Sequence, residues 1–174
     1  MCSSDLVGFA IRQHMRPDQR WDTYTLVAVI KHMRLLVVEL HDDATTEQVL
    51  EHDAEQEAIR NSLLNAEYLR NLVAHSGNPV VNEILLGVIA MREVCVALDP
   101  ASDASSLTQC LEQLKQASQL DAGDSLQMEL DTSLYAQLLL DRALSVFETK
   151  LNDAVCPLVT GMSKKEAAEW CQML

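Results

Sequence analysis

Glu67, Arg70, Asn71 and His75 place the side chains best suited to chemistry within one short stretch, EYLRNLVAHSG. On a helix, Glu67, Asn71 and His75 fall one turn apart along a single stripe, and Arg70 stands beside it within reach of Glu67. Such a set suits phosphodiester chemistry without a metal. The imidazole can carry a proton near neutral pH, and the planar guanidinium offers two donors to a phosphate. The same residues also have a structural account, in which Arg70 bridges to Glu67 and His75 lies beside the negative end of a helix dipole.

The run Arg70-Asn71-Leu72-Val73-Ala74-His75 resembles the mark of the HEPN family of helical-bundle proteins: an Arg, then a polar residue such as Asn, then a His with four to six residues between it and the Arg. The context is similar too, with a helix leading into the motif, a small-residue break after the His and another apolar helix beyond. The resemblance covers residues 45–98. It implies a HEPN-like up-and-down core and, in active members, RNA cleavage without metal, the 2′-hydroxyl attacking its own phosphate across a homodimer cleft. Carried over, His75 is the acid/base and Arg70 the phosphate clamp, with Asn71 and Glu67 positioning them. The asparagine carries the match, because spacing alone is also met by Arg34 and His41.

A second cluster, Glu39, His41, Asp42, Asp43, Glu47, Glu51, His52 and Glu55, contains metal-ligand residue types, and Glu47, Glu51 and Glu55 align along one helix face. It holds neither a Glu-x-x-His pair nor a His-Glu-x-x-His, so it reads as a solvated acidic face. No metal or cofactor is expected. His14 and His32 stand alone and read as packing or surface residues, while the basic turn before Trp21 is a weak contact signal. The five cysteines (Cys2, Cys95, Cys110, Cys156, Cys171) are odd in number and never in a C-x-x-C pair. They are expected to be reduced, with Cys95 a buried thiol in MREVCVAL.

The elements that must position these groups follow from apolar spacing. Leu26, Val29, Ile30, Met33, Val37 and Leu40 predict a helix, against the competing strand signal of TLVAVI. Thr45 and Gln48 form a capping-box pair opening a helix whose apolar stripe is Leu50, Ala54, Ile59, Leu63, Ala66, Leu69 and Val73. That helix ends near Ser76-Gly77-Asn78-Pro79. Pro79, in a first helical turn, starts VVNEILLGVIAMREVCVAL, apolar on most sides and therefore a central buried helix. Two more helices are predicted, from Leu107 to Leu120 and from Leu126 to Leu151, the second closed by Cys156-Pro157. Ser163 and Glu166 then cap a short tail helix carrying Trp170.

The chain is thus read as one all-α domain over residues 1–174, a bundle of about six helices with a HEPN-like core at 1–98 and additional helices at 99–174 packed on it. Its 174 residues carry a formal charge of −13, whose mean field repels nucleic acid and acidic membrane surfaces. No apolar run is long enough to span a membrane and no secretory leader is apparent, so the expected location is the cytoplasm. Two function classes follow. One is a homodimeric, metal-independent RNA endonuclease of toxin or defence type, or a non-catalytic relative, with the interface at Arg70–His75. The other is an acidic helical adaptor, regulator or chaperone that binds a basic or hydrophobic protein. A DNA mimic is the residual case.

Overall fold

The computed structural model describes residues 21–33, 35–36, 44–75, 77–101, 103–120 and 126–160. Among them lie five helices and no strand: α1 (Thr23–Met33), α2 (Thr46–Ala74), α3 (Val81–Leu98), α4 (Ser105–Leu120) and α5 (Leu126–Thr160). The expected tail helix with Ser163, Glu166 and Trp170 falls outside the described residues, as do Val37 and Leu40. The chain divides into two compact units, Met1–Val37 with Glu148–Leu174, and Val38–Phe147, the boundary falling within α5.

In the first unit, Asp22 opens α1 by accepting the Thr25 N–H at 2.8 Å. This Asp cap satisfies a donor that the first turn cannot pair internally. Glu148 accepts from both the N–H (3.1 Å) and the hydroxyl (2.9 Å) of Thr23, placing a carboxylate at the positive end of α1. Leu26, Val27, Ala28, Val29 and Ile30 are all buried in succession, which explains why TLVAVI looks as strand-like as it does helical. A helix covered on every side loses its period. α1 ends at Met33, and the chain after it turns where the Leu35 N–H reaches the Ile30 carbonyl at 3.2 Å.

In the second unit α2 packs on α3, and α3 on α4. The Thr45–Gln48 capping box is formed in both directions, at 3.3 Å to the Thr45 hydroxyl and 2.8 Å to the Gln48 side chain. The buried residues of α2 are Ser62, Leu63, Ala66 and Leu69. Residues 46–61 include none, and Leu50, expected in the apolar stripe, is 66% exposed.

At Gly87 the α3 backbone lies close against α2. A Cβ there would meet the Leu69 side chain, with its Cβ at 3.0 Å and Cγ at 3.1 Å. α3 begins at Val81 rather than at Pro79, because the Glu83 carboxylate turns back to accept the Val80 N–H at 3.0 Å. Valine has no acceptor to complete the box. Ile84, Val88, Met91, Val94 and Cys95 of α3 are buried, but Leu86 (62%) and Val96 (41%) face out, so α3 is central between α2 and α4 without being buried all round. The helix expected to close before Cys156-Pro157 instead continues through Pro157 to Thr160. Proline costs one hydrogen bond and a clash with the carbonyl four residues back, and in a last turn few further bonds depend on it.

Candidate functional site at the C-terminal end of α2

The final two turns of α2 carry Glu67, Arg70 and Asn71, all half-buried, and His75, exposed, is the C-cap. Its backbone (φ −97°, ψ 23°) has left the helix, while its N–H still bonds the Asn71 carbonyl at 3.0 Å. Two residues on, the Gly77 N–H closes on the Leu72 carbonyl at 2.8 Å, the long bond of a Schellman-type end. Glycine is required at 77 by space: a Cβ would strike the Leu72 side chain and lie 2.7 Å from its carbonyl oxygen. The small-residue break after His75 is therefore part of the helix stop.

The structure joins Arg70 to Asn71, the guanidinium donating from Nη1 to the Asn71 Oδ1 at 3.2 Å. Glu67 and Arg70 are each engaged by further interactions. Arg70 leaves the helix between buried Leu69 and half-buried Asn71, on the flank of the packed face. At about 100° per residue, His75 leaves α2 roughly 140° away from Arg70, whereas Glu67, Asn71 and His75 follow one another up a single stripe. On that same exposed side stand Leu64 (43%) and Tyr68 (58%). As placed, the Arg70 guanidinium is held by Asn71 and by further interactions, and His75 presents its imidazole to solvent.

Of the acidic cluster, Glu39, His41, Asp42 and Asp43 lie outside the described residues. Glu47, Glu51 and Glu55 are exposed on α2, and half-buried His52 pairs with Asp53 at 3.2 Å. Among the described residues, no group of three or more His, Cys, Asp or Glu side chains could hold a metal. No helix of the described residues is long and apolar enough to cross a membrane. Cys95 and Cys110 are buried free thiols. Burial pushes the Cys110 thiol above its ordinary range, against a smaller opposite pull from Arg142.

Several polar pairs escaped sequence reasoning because their partners are far apart in the chain. Buried Asn152 accepts the Trp21 N–H and donates to the Trp21 carbonyl, each at 2.9 Å. Buried Ser62 donates to Glu93 at 2.5 Å across the α2–α3 contact. The outward apolar residues of α5, Leu134 (66%), Tyr135 (44%) and Leu138 (67%), did leave a signal. Leu138, Leu139 and Leu140 are consecutive, and a helix covered on one face only cannot turn three successive side chains inward. The described residues define an all-helical fold. In comparisons with known proteins, no family model, curated protein or solved structure matches the chain.

Proposed function

We propose that the chain is a protein-binding helical module, of adaptor, regulator or chaperone type, working through apolar side chains displayed on its helices. The observation that carries this is the group Leu134, Tyr135 and Leu138, adjacent on α5 and between 44% and 67% exposed. Scattered exposed leucines are ordinary, but neighbouring large apolar side chains on one helix face mark a contact surface. The first partner to test is a second copy of the chain. Leu64 and Tyr68, next to the Arg70–His75 segment, offer the alternative self-contact.

Sedimentation at tens of micromolar, the range of weak association, should show a dimer. Leu134→Glu with Leu138→Glu should return it to monomer with an unchanged melting curve. If Leu64→Glu with Tyr68→Glu does so instead, the interface is at the Arg70–His75 end. A wild-type chain that stays monomeric removes self-association from the reading.

A second reading, a HEPN-like RNA endonuclease, is favoured by the Arg70–Asn71 contact with His75 exposed one turn on. In it the Arg70 fork takes the phosphate and His75 moves the proton. His75→Ala should abolish RNA cleavage in EDTA while leaving stability within about 0.5 kcal/mol, since the side chain is exposed. Arg70→Lys keeps the charge and loses the fork, so activity should fall steeply. Wild-type protein that cleaves no RNA, with or without metal, overturns this reading.

A further inference from the structure

Leu134, Leu138 and Ser145 follow one line along α5, each within roughly 30° of it at about 100° per residue. Asp141 and Arg142 stand about 50° to either side of that line, and Tyr135 flanks it on the side of Arg142. All six are exposed, while Ala136, Leu140 and Ala143, on the opposite side of the helix, are buried. About two turns beyond Ser145 the line reaches Asn152, where it is covered, since that amide holds the backbone of Trp21 just before α1. From 134 to 145 it is open over about 17 Å, at 1.5 Å per residue.

Charge decides which partner this face fits. It carries one carboxylate and one guanidinium, at nearly the same height on opposite flanks. A wholly basic helix would suit Asp141 and repel Arg142, and an acidic helix would do the reverse. A second copy running parallel, related by a two-fold axis along the line, brings each flank against the opposite flank of the other chain. Asp141 of each copy then meets Arg142 of the other, twice by symmetry, and the leucines meet their counterparts in the middle. An antiparallel pair sets each flank against its own kind, so carboxylate and guanidinium do not meet. Arg142 gives one N–H to the Gln109 Oε1 at 3.2 Å, which steadies the guanidinium and engages one of its several donors.

We infer that this face of α5 is a self-docking surface on which two copies of the chain pair in parallel, closed by Leu134 and Leu138 and held in register by Asp141 and Arg142 across the axis. The inference rests on the protein-binding reading and fixes how two copies meet, which that reading leaves open.

The test is charge exchange, read by sedimentation equilibrium of the whole chain at low salt. Asp141→Arg leaves two cations on the face and Arg142→Asp two anions, so each variant alone should dimerise about tenfold more weakly than wild type. Mixed in equal amounts, the two should form a heterodimer within about threefold of the wild-type affinity, because every flank again meets its opposite. Restoration on mixing cannot come from a chain that has failed to fold. Asp141→Arg combined with Arg142→Asp in one chain should dimerise as wild type does. Single variants that dimerise like wild type, or a loss that mixing fails to restore, would overturn the parallel pairing. If Leu134→Glu with Leu138→Glu still abolished the dimer in that case, the broader reading would stand with another geometry. A wild-type chain that stays monomeric overturns the inference together with self-association, and leaves a foreign partner as the module's ligand.

Discussion

Asn152 shows how much one side chain decides in this protein. Its amide is both donor and acceptor to a single residue, satisfying the N–H and the carbonyl of Trp21, whose side chain is itself buried. Truncation removes both partners at once and leaves two backbone groups without water or protein to bond. Asn152→Ala should therefore cost on the order of 3 kcal/mol in denaturant unfolding, at the high end for a polar-to-alanine change. A loss under about 0.5 kcal/mol would mean that other groups or water replace the amide. Gly87 is constrained by space rather than by bonding. Gly87→Ala gains helix propensity but drives a methyl into Leu69, and overpacking of this kind outweighs the gain, for a net loss of about 1–2 kcal/mol. An unchanged midpoint would show that Leu69 yields freely. Nothing local in the sequence distinguishes Asn152 from the other asparagines, since its partner lies 131 residues away.

Helices were legible wherever their ends carry their own chemistry. Thr45 with Gln48 marks the start of α2 because both bonds are made within one turn, and Gly77 marks its stop because the space it needs is set by Leu72, five residues earlier. Ends that depend on more distant groups were not legible. α1 is capped in part by Glu148, and Pro157 leaves the end of α5 unbroken. Amphipathic spacing also overstated burial: at 100° per residue Leu50 and Ala54 lie about 120–180° around α2 from buried Leu63 and Ala66, so they face away from the packed side. At the candidate site, the sequence supplied the residue types and the stripe of Glu67, Asn71 and His75. The Arg70–Asn71 bond depends on rotamers, which spacing does not determine.

The exposed start of α2 has a consequence for its cap. With no residue of 46–61 fully buried, helix bonds and the box carry much of the hold on the first turns. Thr45→Ala should therefore accelerate amide exchange at Gln48 and Val49 by roughly five- to tenfold, about 1 kcal/mol of local stability, while barely moving the global midpoint. Equal loss in both would show that the turn unfolds only with the rest.

At the scale of the whole molecule, stability is tied to alkaline pH through a group that takes no part in the candidate site. Cys110 is fully buried, and burial holds its thiol above its ordinary value, with Arg142 opposing this. The unfolded thiol releases its proton near 9, while the folded one retains it to higher pH, so above that point the folded state binds more protons. Stability must then fall as pH rises. The contribution is fully present below pH 9 and is lost progressively as pH passes upward through the raised folded value. Lysines and tyrosines titrate in the same range, so the wild-type curve alone assigns nothing to Cys110. Cys110→Ala isolates it: the variant should be less stable at neutral pH, through the lost sulfur packing, by on the order of 1 kcal/mol, yet its stability should decline less steeply between pH 9 and 10.5. Parallel wild-type and variant slopes would mean that the thiol ionises as readily inside the fold as outside it. The same burial predicts that iodoacetamide labels Cys110 at a rate set by unfolding, while half-exposed Cys156, whose thiol donates to the Asn152 Oδ1 at 3.4 Å, reacts from the folded chain.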